Sequence, residues 1–123
     1  MPTPTKTGRV LVSSQSLAAG STITGTELDL TTAWGLAVAA SVTNGASAPT
    51  TGCTVTLLVR RYGTGNWFVW ASATSGLVAS TTYYFGGEGW RLPPEIQAAR
   101  VDFAGHAGNA VTVEAIGQEL TSF

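Results

Sequence analysis

Charged side chains are scarce in this sequence. Only 11% of the 123 residues are Asp, Glu, Lys or Arg, against roughly 25% in ordinary soluble domains. Six basic residues stand against seven acidic ones, so the chain lacks the basic cluster that binding to a phosphate backbone needs. We therefore expect no nucleic-acid partner. So few charges also mean weak repulsion between copies, which favours association.

Cysteine and histidine occur once each. A single cysteine excludes an intrachain disulfide, and Cys53 alternates with Val55 and Leu57 as a buried hydrophobic residue would. His106 lies in the small-residue segment FAGHAGN, which predicts a solvent-exposed turn histidine. One Cys and one His do not supply the ligands of a zinc site. We expect neither a metal nor a cofactor.

Residue patterns typical of enzymes are also missing. A catalytic nucleophile needs an adjacent base and a group that orients the base. Asp102 lies four positions before His106, but no Ser or Cys nucleophile can be assigned beside this pair. The segment YGTGNW lacks the third glycine and following helix of a dinucleotide-binding loop, and GGEGW lacks the lysine and hydroxyl residue of a phosphate-binding loop. Glu88 and Glu95 could pair as glycosidase carboxylates, but no cleft pattern surrounds them. We predict no catalytic residues and no enzyme.

The sequence has no apolar run near the ~20 residues of a membrane span, and its start, MPTPTKTGRV, lacks the apolar centre of a signal peptide. We expect no membrane partner and synthesis in the cytoplasm. Residues 1–8 contain Pro2 and Pro4 and no periodic pattern. They are predicted to form an extended arm that lies across a neighbouring protein.

The segment CTVTLLVRRYGTGNWFVWA, residues 53–71, is the clearest pattern that is present. From Cys53 to Val59 every second residue is apolar, which is typical of a strand with one buried face. Trp67, Val69 and Ala71 share a face of the second half by the same alternation. Two glycines between the halves predict a β-hairpin.

Similar alternation recurs along the chain. Residues 34–42 predict a central strand in which Trp34 and Leu36 share one face, and further strands are predicted at 77–85, 96–103 and 110–116. About eight short strands, with turn residues between nearly every pair and no helical pattern, predict an all-β fold. We expect a single-domain antiparallel β-sandwich, jelly-roll-like, over residues 9–123, preceded by the arm.

Aromatic residues provide the candidate contacts. Trp67 and Trp70 lie on opposite faces of one strand, so one of them should face outward. Cover by a loop, a protein interface and a sugar-stacking platform, which would include the GGEGWR loop, all remain open for such a ring. The candidate partner or glycan contacts are Pro2, Pro4, Trp70, Tyr84, Trp90 and Arg91.

Four segments carry a resemblance to a known group of proteins. They are SLAAGSTITGTELDL, a strand ending in TNG, RYGTGNWFVWA, and LPPEIQAARVDFAGHAGNAVTVEA. Together, over residues 16–115, they resemble small β-sandwich structural proteins of tailed bacteriophages. The resemblance implies a virion component and brings no catalytic residues with it.

Two hypotheses follow. The first is a capsid decoration, or cement, protein on the outer surface of the virion head, which binds the major capsid protein or other virion proteins as a homo-oligomer, with a trimer favoured. The alternative is a carbohydrate- or receptor-binding accessory module of a phage head or tail fibre.

Overall fold

The computed structural model describes residues 5–61 and 65–122, and its strands pair antiparallel in two sheets. The ten strands are β1 (Thr5–Leu17), β2 (Ile23–Thr24), β3 (Leu28–Asp29), β4 (Gly35–Asn44), β5 (Thr54–Arg61), β6 (Trp67–Thr74), β7 (Thr82–Phe85), β8 (Arg91–Leu92), β9 (Ile96–Ala104) and β10 (Val111–Ser122). A single 3-10 turn, Glu88–Trp90, separates β7 from β8.

The two sheets form the predicted β-sandwich. Sheet A has the order β1-β10-β4-β7, with β8 also paired to β4, and sheet B has the order β2-β9-β5-β6, with β3 also paired to β9. The described residues contain no α-helix. The described residues form ten strands where about eight were expected, because β2 and β8 are two-residue strands that no alternation pattern can reveal.

Alternating side chains of both sheets form the core, as the sequence predicts. Val55, Leu57 and Val59 of β5 are buried against Val38 and Val42 of β4, together with other members of one cluster. Cys53 is buried as predicted, and desolvation raises the pKa of its thiol to about 11.

Strand β1 includes four residues that the sequence analysis assigned to the arm. It begins at Thr5 and pairs with β10, with Lys6 opposite Leu120. Pro2 and Pro4 lie outside the described residues. A register shift between Val10 and Val12 then turns two successive residues, Leu11 and Val12, into the core and leaves Val10 exposed.

Strand β6 contains a second irregularity that changes one predicted face. Leu57 pairs with Ala71 and Leu58 pairs with Val69, so Trp70 is an extra residue in a β-bulge. Ala71 consequently packs against the core, while Val69 faces outward. The prediction that Ala71 shares a face with Trp67 and Val69 is wrong, because the bulge interrupts the two-residue period.

His106 is buried, with 1% of its surface exposed, so the predicted solvent-exposed turn histidine is wrong. Its Nε2 donates a hydrogen bond to the Leu17 carbonyl at 3.1 Å, and its own carbonyl accepts one from the Gly20 amide at 3.1 Å. The chain after β1 therefore covers this turn. Leu17 lies 89 positions before His106 in the sequence, so no local pattern reveals this cover.

The strand predicted at 77–85 is shorter than expected and covers only Thr82–Phe85. Buried Asn44 donates side-chain hydrogen bonds to the carbonyls of Gly76 and Val78, both at 3.0 Å. These bonds hold the preceding segment as a loop at the end of β4.

Candidate functional site

A groove crosses the outer face of sheet A. Val10, Ile116 and Ala39 stand side by side on β1, β10 and β4, and the next row brings Gln118 beside Ala37. The small side chains on β4 leave space between taller neighbours. The resulting pocket has a volume of about 550 Å³ and an apolar floor.

A second pocket of about 390 Å³ continues the groove toward the start of β4. The two pockets share Ala37, Arg91 and Gln118. Lys6 and Trp34 line the far end, and none of the described residues that line this second pocket is acidic. Two cations and an indole ring therefore border one concave surface, which we call the sheet A groove.

Trp34 is the residue of the groove that the sequence analysis placed wrongly. It was expected to share a strand face with Leu36, but Leu36 is buried whereas 52% of the surface of Trp34 is exposed. The residue precedes β4, which begins at Gly35, and its backbone amide donates to the Leu120 carbonyl at 2.6 Å. Because it lies in the turn before the strand, the alternation of β4 does not extend to it. The turn-like TTAWG segment is the signal that could have identified it.

Two predicted contact residues lie on this outer face. Tyr84 stands opposite Ser41 of β4 and is 80% exposed. Arg91 stands opposite Ala37, in the groove. Because they pair with β4 four residues apart, about 13 Å separates their positions along the strand.

The other predicted aromatic contacts point toward the core. Trp90 is only 7% exposed, and its ring lies 6.4 Å from that of Phe85 between centroids. Trp70 is half-buried at the bulge and packs against the core cluster. The predicted stacking platform of Trp70, Tyr84 and Trp90 is therefore not assembled, because the 3-10 turn directs Trp90 inward.

Sheet B carries a different aromatic cluster on its outer face. The ring of Trp67 lies 5.4 Å from the Arg60 guanidinium carbon and 4.7 Å from that of Arg100. Each arginine also has a carboxylate: Arg60 Nη2 is 3.0 Å from Glu27 Oε1, and Arg100 Nε is 3.3 Å from Asp102 Oδ1. These charges are thus neutralised within the protein.

The edge of sheet B is a second exposed surface. In the described part of the chain β6 pairs with β5 alone. Its sequence, WFVWASAT, has no charge and no proline, and Phe68 and Val69 are exposed, Val69 by 63%. Edge strands usually carry charges or prolines that prevent pairing with other chains. We call this strand the β6 edge.

The edge of sheet A at β1 is protected by comparison. It carries Lys6 and Arg9 and has three register shifts against β10. The remaining edge strands, β2, β3, β7 and β8, have at most four residues. The β6 edge is therefore the long edge whose backbone groups are most open to a partner strand.

Within residues 5–61 and 65–122, no three or more His, Cys, Asp and Glu side chains cluster as ligands for a metal ion. In the same ranges, no helix has the length and apolar character needed to cross a membrane.

No protein-family model and no curated protein sequence matches the chain. Solved structures with the same fold include chains of infectious bursal disease virus. A chain of the Gt strain matches with a TM-score of 0.59 and 15% identity over 96% of this chain and 33% of that one. A chain of the VP2 subviral particle matches with a TM-score of 0.58 and 12% identity, again over 96% and 33%.

This chain thus spans about a third of the length of those viral chains, and at such low identity the likeness shows the fold alone. The SPBc2 prophage-derived protein YomS matches over 96% of both chains at 16% identity, with a TM-score of 0.49. The comparisons place the chain among β-sandwiches that include parts of virus-particle proteins.

Proposed function

We propose that this protein is a structural component of a virion: a capsid decoration protein of a tailed bacteriophage that binds the outside of the head shell and stabilises it. The β6 edge is the observation that carries this proposal. It is a long, uncharged strand edge with exposed apolar side chains, and such edges bind other chains by strand pairing.

The fold supports the same proposal. A sandwich of this kind forms about a third of chains found in structures of a virus. Such folds present broad outer faces and strand edges to neighbouring subunits. A protein used in many copies benefits from low net charge, because repulsion between adjacent copies is then small.

Pairing at the β6 edge would be favourable for physical reasons. A partner strand would satisfy the outward backbone amides and carbonyls of β6 and would bury Phe68 and Val69. We propose a symmetric homo-oligomer, with a trimer favoured, in which the β6 edge contacts a neighbouring copy or a shell subunit. Mass measurement of the purified protein distinguishes a trimer from the dimer that two-fold β6 pairing would give.

The direct test is the composition of particles. Phage particles from the source culture are treated with nuclease, banded in a density gradient and analysed by quantitative mass spectrometry. The chain should be present in many copies per particle, and particles from a mutant that lacks its gene should lose their genome at lower temperature. Absence of the chain from the purified wild-type particles would overturn the proposal.

A matched pair of variants tests the β6 edge. Val69→Lys places a charge on the edge and should reduce occupancy on shells by at least tenfold, because pairing would desolvate that charge. Val78→Lys changes an equally exposed valine in the loop before β7 and should bind as the wild type does. Equal occupancy of the two variants would exclude the β6 edge as the contact.

The predicted arm needs its own test. Because β1 begins at Thr5, removal of residues 1–4 deletes Pro2 and Pro4 without removing any described strand residue. We expect lower occupancy on shells and an unchanged melting temperature. Unchanged occupancy would remove the arm from the proposal and leave the β6 edge in place.

A further inference from the structure

We propose that the sheet A groove binds a carboxylated polysaccharide, with Trp34 stacked on a sugar ring and Lys6 and Arg91 binding its carboxylates. This inference goes beyond the proposed virion role and does not rest on it. The site lies on sheet A, whereas the proposed assembly contact is the edge of sheet B.

Charge is the first argument. Lys6 and Arg91 line the second pocket, and no acidic residue lines it with them among those described. The third cation of the groove, Arg9, donates from Nε to buried Glu119 at 2.6 Å and is neutralised there. Two cations on one concave surface, with no carboxylate partner among the described residues, are complementary to an anion, and Arg in particular binds carboxylates in a planar, bidentate manner.

The shape and polarity of the groove are the second argument. It follows β10 from Ile116 to Leu120, four residues or about 14 Å. Its floor consists of small apolar side chains, and Gln118 offers an amide donor and acceptor between the two cations. An exposed indole beside polar groups is suited to stack against the apolar face of a sugar ring.

The backbone pairing argues for a glycan over an acidic peptide. Of the strands that line the groove, β10 is paired on both sides, and β4 is paired on both sides at residues 36–37 and 40–43. The main-chain groups of these stretches are therefore not open to an added peptide strand, which is how extended peptides usually gain affinity on sheets. A glycan needs only stacking and side-chain hydrogen bonds.

Isothermal titration of the full chain with polygalacturonate tests the proposal. We expect saturable binding that weakens at least tenfold when the polymer's carboxyl groups are reduced to alcohols, and that also weakens as salt screens the charges. Dextran should not bind. Failure of polygalacturonate to bind at millimolar sugar concentration, or equal binding of the reduced polymer, would overturn the proposal.

Poly-glutamate is titrated in parallel as the competing class of ligand. The account expects it to bind at least tenfold more weakly than polygalacturonate, because it offers no ring for Trp34. Equal or tighter binding of poly-glutamate would overturn the glycan assignment in favour of an acidic peptide.

Variants locate the site. Trp34→Ala and Arg91→Gln should each weaken binding at least tenfold, and Lys6→Gln should weaken it severalfold. Trp67→Ala and Arg61→Gln change a tryptophan and an exposed arginine outside the groove and should bind as the wild type does. Arg91→Gln alters an exposed side chain, so it keeps the test valid if Trp34→Ala does not fold. Unchanged binding in Arg91→Gln would overturn the assignment of the site.

Discussion

The molecule has two clusters in which a tryptophan lies near two cations, and they differ in their acids. On sheet B, Trp67 lies beside Arg60 and Arg100, and Glu27 and Asp102 neutralise those arginines. On sheet A, Trp34, Lys6 and Arg91 line a pocket whose described lining contains no acid. On sheet B the arginines beside the indole thus have carboxylate partners, whereas the described lining of the sheet A pocket offers Lys6 and Arg91 none.

The difference shows which charges hold the fold and which are available to a ligand. An arginine between an indole and a carboxylate already has its favourable partners, so an external anion gains little by approaching it. A cation in a pocket whose described lining contains no acidic residue lacks such a carboxylate partner, so it can pair with the anion of a ligand. Charge compensation therefore distinguishes a candidate binding surface from a structural one better than residue type does.

The largest predicted effect concerns Arg9, the cation of sheet A that does have an internal partner. Arg9→Ala leaves the buried carboxylate of Glu119 without its ion pair, and we expect a loss of about 2 kcal/mol in the free energy of unfolding. Urea unfolding measures it. Glu119→Gln, which keeps the shape without the charge, should cost less. A neutral effect of Arg9→Ala would show that this cation is as uncompensated as Lys6 and Arg91.

Substitution of Trp67 and of Trp34 should have opposite effects on stability and on polysaccharide binding. Trp67→Ala removes the ring shared by two guanidiniums and should lower the free energy of unfolding by about 1 to 2 kcal/mol, without weakening polysaccharide binding. Trp34→Ala should weaken binding and change stability less. Thermal melts measure the stability of each variant, and titrations with the polysaccharide measure the affinity of each. If Trp67→Ala also abolished binding, the distinction between the two clusters would fail.

A smaller effect comes from Cys53, in the core that the two sheets share. Burial raises the pKa of its thiol from 9.0 to about 11, so the unfolded chain ionises first as pH rises. The free energy of unfolding is therefore unaffected below pH 9 and falls between pH 9 and about 11. At pH 10 this contribution is about 1 kcal/mol. The Cys53→Ala variant should lack this pH-dependent loss, so its free energy of unfolding relative to the wild type should increase from pH 8 to pH 10. A difference between the two proteins that stays constant over this range would contradict the raised pKa of Cys53.

Strand alternation predicted the layers because one face of each long strand is buried. Val55, Leu57 and Val59 are buried as expected, and the same period identified β4, β9 and β10. The pattern failed where backbone geometry adds a residue. The bulges at Leu11 and Trp70 reverse the faces that follow them, and a bulge arises from pairing with another strand.

The candidate site was less predictable for a related reason. Arg91 and Tyr84 were named from the sequence and do lie on the outer face of sheet A. Lys6 was assigned to an arm and Trp34 to the same strand face as Leu36, and only the pairing of β1 and β4 with β10 brings both to one groove. Which cations lack acids is a tertiary property, since it depends on all the strands that surround them.

The most direct test of whether the sheet A groove, and not the Trp67 cluster, binds a carboxylated glycan is an NMR chemical-shift map. The isotope-labelled protein is titrated with a short galacturonate oligomer. The account predicts shifts confined to the sheet A groove, at the Trp34 indole and the Ala37, Ile116 and Gln118 amides. The Trp67 indole should not shift. Shifts centred on Trp67, Arg60 and Arg100, or no saturable shift in either cluster, would contradict it.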